Sequence, residues 1–190
     1  MPGPLLVRRI RQETKVFDST DFVRFCIDAC ERSNPWALIH SRSLEIVANP
    51  SAIARPPEGD RQAWRLHRSP SLTILHTTYP RSLKAMPHNH GTWTVVSVYQ
   101  GQEDYVVYAR AGSGLIPVAT NSIRPGEAVI LPEDTIHDLS TSAAQPTCSI
   151  HVYGGDLFDA QRRSMWAPPE FREEKFDERE FTRSWLASKP

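Results

Sequence analysis

The spacing of apolar positions changes character near residue 64. Upstream, Phe22, Phe25, Cys26, Ala29 and Cys30 recur at helical spacing, and Ser19, Thr20 and Asp21 offer an N-cap. Asn34-Pro35 is expected to end that helix, and Trp36 to Ala48 reads as a second short one. Residues 1–17 read as an entry segment, and residues 49–62, rich in Pro, Ala and Arg, as a connecting loop. From Trp64 the chain reads as strands. Ser71 to Tyr79 alternates and is β-branched; Thr92 to Tyr99, Glu103 to Ala109, Leu115 to Ile123, Ala128 to Leu131 and Thr147 to Tyr153 follow. Short strands divided by Gly and Pro turns predict an antiparallel sandwich or barrel. Past Tyr153, Asp156 to Trp166 reads as a short helix. Glu170 to Trp185 is a charged segment that Phe171, Phe176, Phe181 and Trp185 tie onto the barrel.

Composition narrows the function classes. The 190 residues suit one domain, 39% hydrophobic and 23% charged. Basic and acidic residues balance to a formal net charge of zero, so no broad basic field draws in nucleic acid. No apolar run approaches a membrane span, and the start lacks the apolar stretch of a signal peptide; the expected location is cytoplasmic. Cys26, Cys30 and Cys148 are too few and too uneven for a disulfide framework. Cys26 and Cys30 share a helix face, either as a metal or redox pair or as two small buried residues.

The histidines change the picture. His88 and His90 are two apart, so on a strand they point to one side and reach one metal ion together. Further on, Gly126, Pro132 and His137 deliver another histidine from a turn, a short strand and a second turn. Together these segments, within about residues 80–155, resemble the two motifs of the cupin superfamily. Gly101 stands at the expected glycine, Thr94 at the usual glutamate and Asp134 at the usual second glycine. The resemblance implies a mainly β cupin double-stranded β-helix, an antiparallel β-sandwich barrel with helical N-terminal and C-terminal flanks. Its helical part would cover about 18–48, its barrel about 64–155 and its tail about 156–190. Without the glutamate, three neutral imidazoles leave a bound metal its full charge and open positions. Imidazole accepts iron, zinc, copper and nickel alike.

On the last strand, Ser149, His151 and Tyr153 share one face and Ile150 and Val152 the other. A hydroxyl, an imidazole and a phenol in a row can pass a hydrogen bond into a cavity; the bland alternative is an exposed polar face. With His88-Asn89-His90-Gly91-Thr92-Trp93 and Ile136-His137, this strand and the Gly154-Gly155-Asp156 after it resemble the cysteine dioxygenase type I group of thiol dioxygenases, including 3-mercaptopropionate dioxygenases. The likeness runs from about Leu72 to Arg163. It implies Fe(II) on His88, His90 and His137, a relay through Ser149, His151 and Tyr153, and substrates of O2 and a small thiol that leaves as a sulfinate. It also implies that Arg162, nine residues past the tyrosine, holds the substrate carboxylate, with Arg65 the nearest counterpart of an arginine found ahead of the histidines in the cysteine-oxidising branch. That branch also carries a cysteine cross-linked to the tyrosine; Thr92 to Val96 holds none, so no cross-link is expected. Asn89 would point away from the metal. The rivals are an O2-dependent enzyme with another substrate on the same site, and a non-catalytic cupin that binds a metal or small molecule.

Overall fold

In the computed structural model, residues 16–54 and 63–187 are described, with the side chains of residues 184–187 excepted. The expected entry segment and connecting loop therefore lie largely outside the described residues, as does the Trp185 side chain. Two helices lead, α1 (Ser19–Cys30) and α2 (Pro35–Val47). Asp18, not the three residues after it, caps α1: its carboxylate accepts from the backbone N–H of Thr20 (2.8 Å) and Asp21 (3.2 Å). Asn34 does not stop α1, which ends earlier. It precedes α2 in the left-handed region (φ 57°), with Pro35 in the first helical turn, where a missing N–H costs nothing.

Eleven strands follow among the described residues: β1 (Ala63–Ser69), β2 (Leu72–Tyr79), β3 (Lys84–His88), β4 (Thr94–Gln100), β5 (Glu103–Ala111), β6 (Gly114–Ile123), β7 (Glu127–Leu131), β8 (Ile136–Thr141), β9 (Thr147–Tyr153), β10 (Ser164–Ala167) and β11 (Arg172–Lys175). They form two antiparallel sheets, ordered β1-β2-β9-β4-β7 and β11-β10-β3-β8-β5-β6. From β2 to β10 the chain passes back and forth between the sheets, except at the β5–β6 hairpin, which stays within the second sheet; this is the double-stranded β-helix expected of a cupin. The first sheet is covered on both sides. Ile74, Val95, Ile150 and Val152 pack against Phe22, Cys26, Ala29 and Ile39 of the two helices. The opposite face, carrying Ser149, His151 and Tyr153, turns toward the second sheet.

The C-terminal part departs from expectation. Asp156 to Trp166 is not a helix; a 3-10 turn at Ala160–Arg162 leads into β10, where Met165 pairs with His88 of β3. The last element is a helix, α3 (Glu178–Ala187). Phe176 and Phe181 are buried against Tyr79, Leu83 and Met165, so these two of the expected aromatic residues tie the segment to the barrel. Among the described residues no helix is long and apolar enough to cross a membrane.

Candidate metal centre

A cavity of about 560 Å³ lies between the sheets. His88, His90 and His137 line it, 5%, 9% and 4% exposed, and their ligand atoms lie within 4.8 Å of one another. The register explains the convergence. His88 ends β3 and pairs across the sheet with His137 near the start of β8, so both rings leave the same face. His90 lies past the strand end, where the chain turns at Gly91 (φ 62°). A side chain at Gly91 would run into the Arg162 carbonyl, so the turn depends on glycine twice over. Between the two histidines, the Asn89 side chain faces β10, accepting from the Ser164 N–H at 2.7 Å.

Each imidazole is held by its Nδ1. His88 donates to the Met86 carbonyl (3.0 Å), His137 lies 3.4 Å from the Thr135 carbonyl, and His90 is 2.8 Å from the Thr94 hydroxyl. The three Nε2 atoms are thereby left for a shared cation, the arrangement metal-ligating histidines adopt. Thr94, in place of the cupin glutamate, serves as the orienting partner of His90. Burial is the main cause that holds His88 and His90 well below the usual histidine range and His137 down to about 4. Neighbouring histidines and Arg163 add to it. The rings are neutral, as coordination requires.

Ser149, His151 and Tyr153 form a continuous chain, at most 3% exposed. His151 Nδ1 is 3.0 Å from the Tyr153 hydroxyl, and its Nε2 is 3.0 Å from the Ser149 hydroxyl. The Tyr153 ring stands edge-on to His90 with centroids 5.0 Å apart. Burial pushes the Tyr153 phenol upward, so it is protonated at neutral pH.

Two cavity residues escaped the sequence reading. Glu103, 1% exposed, accepts from Ser149 Oγ and lies 3.1 Å from His151 Nε2. Its other oxygen has no hydrogen-bond partner among the described residues. A buried carboxylate so poorly neutralised fits a site meant to hold a cation. The second is Arg163, in the cavity wall. Its guanidinium lies 3.5 Å above the Phe176 ring and donates to the carbonyls of Leu157 (3.0 Å) and Asn89 (3.4 Å). Burial lowers it to about 10. Arg162 lies outside this cavity: 59% exposed, it pairs with exposed Glu133 at 3.1 Å. Arg65 lines the cavity from an exposed position on β1, with Phe158 beneath its guanidinium. Cys26 is core, its thiol pushed upward by burial.

No protein-family model matches the chain, and no curated protein does. Solved structures similar to it include the DMSP lyase DddQ from Ruegeria pomeroyi DSS-3 (19% identity, TM-score 0.41), with 52% of this chain covering 48% of that one. The chain thus spans about half the length of that protein. A cupin superfamily protein from Desulfitobacterium hafniense DCB-2 matches at 12% identity and TM-score 0.43, over 56% of this chain and 87% of the other. An RmlC-like cupin family protein with a double-stranded β-helix fold, from Methanocaldococcus jannaschii, matches at 12% and 0.42, over 55% and 91%. What the strand order and the three clustered histidines establish is a mainly β double-stranded β-helix carrying a candidate metal centre.

Proposed function

We propose that the chain is a mononuclear non-haem iron enzyme that adds both atoms of O2 to the sulfur of a small thiol bearing a carboxylate, such as 3-mercaptopropionate or cysteine. The observation that carries this reading is the buried Tyr153–His151–Ser149 relay beside the three histidines; a module that only binds needs no such chain. The reaction balances without an external reductant, because sulfur gives up four electrons, O2 takes them, and both oxygens stay in the sulfinate.

His88, His90 and His137 would hold Fe(II) by Nε2, and the bound ion would supply open coordination positions and the redox steps that let O2 react. The remaining roles belong to the chain. Arg163 is a half-buried cation without an ion-pair partner within 4 Å among the described residues, and it recognises the carboxylate. Tyr153, held by His151, orients the polar groups next to His90. Leu75, Leu131, Phe176 and Phe181 keep water from the cavity.

The cavity volume favours a second reading. Six non-hydrogen atoms of a mercapto acid occupy roughly 100–150 Å³ at protein packing density, well below 560 Å³. A bulkier thiol, or a carbon centre, on the same site fits that space. The test loads metal-free protein anaerobically with Fe(II) and follows O2 uptake with 3-mercaptopropionate, cysteine and cysteamine, then with larger thiols. Uptake of one O2 per thiol, with a product heavier by two oxygens, supports the proposal. No thiol-dependent uptake with iron bound refutes it.

A further inference from the structure

We propose that Glu103 is a positioning residue that locks His151 as the Nε2–H tautomer, so that Tyr153 donates its phenolic proton to His151 and offers only lone pairs to the cavity. The inference concerns the relay on which the proposed function rests.

Glu103 opens β5 on the face it shares with Tyr105 and Val107, and Val107 pairs with His137. This face is the cavity wall, so the carboxylate is directed inward at the closed end of the relay. Its Oε1 accepts from the Ser149 hydroxyl and lies 3.1 Å from His151 Nε2. Its Oε2 has no partner among the described residues. That asymmetry settles where protons lie. A proton on Oε2 would be a buried donor with no acceptor, and one on Oε1 would compete with the Ser149 proton for the same contact. Glu103 is therefore the carboxylate acceptor of the Ser149 proton.

The rest follows by counting hydrogens. Thr77 Oγ1 lies 2.6 Å from Ser149 Oγ and 3.2 Å from the Ser149 carbonyl; with its one proton given at the shorter contact, it needs none from Ser149. Ser149 gives its one proton to Glu103. His151 Nε2 then faces a carboxylate oxygen at 3.1 Å, a contact that is attractive only if the nitrogen carries hydrogen. In a neutral ring Nδ1 is then the acceptor, and the hydroxyl 3.0 Å away, that of Tyr153, is the donor. The opposite tautomer would set a nitrogen lone pair against the carboxylate and turn the phenolic proton into the cavity. Glu103 thus decides, from the far end, whether Tyr153 meets the substrate as acceptor or as donor.

The experiment reads the 15N shifts of His151 in metal-free protein without thiol or O2, so its outcome stands apart from that of the proposed function. A protonated Nε2 and an unprotonated Nδ1 in the wild type are expected; the reverse assignment overturns the proposal. In Glu103→Gln the amide can donate to Nε2, and the two ring nitrogens are expected to exchange character in a measurable fraction of molecules. With the iron-loaded enzyme kcat should fall about 10–100-fold, while KM and iron content stay within about twofold. An unchanged tautomer in that variant also overturns the proposal. Should the variant not fold, the wild-type assignment alone decides.

Discussion

Adjacent arginines with opposite surroundings make the sharpest test of the site. The family spacing points to Arg162 as the carboxylate anchor, whereas the structure puts Arg163 in the cavity. Arg162 and Glu133 are 59% and 56% exposed, and a pair of that kind contributes about 0–1 kcal/mol. Arg163 offers a planar fork from a half-buried position over Phe176, where a hydrogen bond to a charged group contributes about 1.5–3 kcal/mol. Losing one to two such bonds, net of solvent entering the gap, removes about 2–4 kcal/mol, or about 30- to 1,000-fold in kcat/KM. The assay compares Arg163→Met, Arg163→Lys and Arg162→Met on 3-mercaptopropionate and on cysteamine, which has no carboxylate. Arg163→Met is expected to lose that factor on the mercapto acid and little on cysteamine. Arg163→Lys should fall between, keeping the charge and losing the fork. Arg162→Met should stay within about threefold of wild type. A large loss in Arg162→Met with Arg163→Met near wild type would refute the assignment and restore the spacing argument.

Two further outcomes are expected. Thr94→Val removes the Nδ1 partner of His90, so iron affinity should weaken about 10–100-fold; unchanged affinity in a chelator competition would deny the hydroxyl that role. His76, buried beside Tyr99 and held by burial at about 4, stays neutral when folded, while the unfolded chain takes up a proton near 6.5. Its neutral form therefore contributes stability that is intact above about pH 6.5, falls as pH drops, and levels off below about 4. The loss by pH 5 is about 2 kcal/mol. Urea melts of His76→Gln and wild type should show their stability difference shifting by that amount, in the variant's favour, between pH 7.5 and 5. A pH-independent difference would mean that His76 titrates alike in both states.

What was legible was periodic. Ser149, His151 and Tyr153 alternate on a fully buried strand, so two-residue spacing alone places them on one face. The motif glycines were visible as well, and close packing explains one: a side chain at Gly154 would occupy the Trp93 indole. The unread strands β3 and β8 are short and mix Pro, Lys, Asp and Ser, and what makes them strands is their pairing with each other and with β10 and β5 on either side. Arg163 was hidden for a geometric reason. The 3-10 turn ends at Arg162 and Arg163 resumes extended backbone (φ −117°, ψ 146°), so neighbours in sequence part company in space. Glu103 was hidden because a charged residue opening a strand after a Gly turn looks like surface. Only the partners on β9 reveal it, more than forty residues away along the chain.

Charge ties these residues into one preference. In the cavity Glu103 and Arg163 carry opposite charges, with neutral imidazoles between them. Arg65 and Glu178 are exposed at its edge, where solvent screens both. Fe(II) on the histidines would leave two positive charges in a water-poor space, an imbalance that a buried site tolerates poorly. The thiolate and carboxylate of 3-mercaptopropionate together cancel it. Cysteine adds an ammonium group and leaves one charge over. Cysteamine, a thiolate with an ammonium group, leaves both. The cavity should therefore rank the thiols in that order, with kcat/KM falling at each step. A preference for cysteamine over the mercapto acid would mean that Glu103, rather than Arg163, meets the charged end of the substrate.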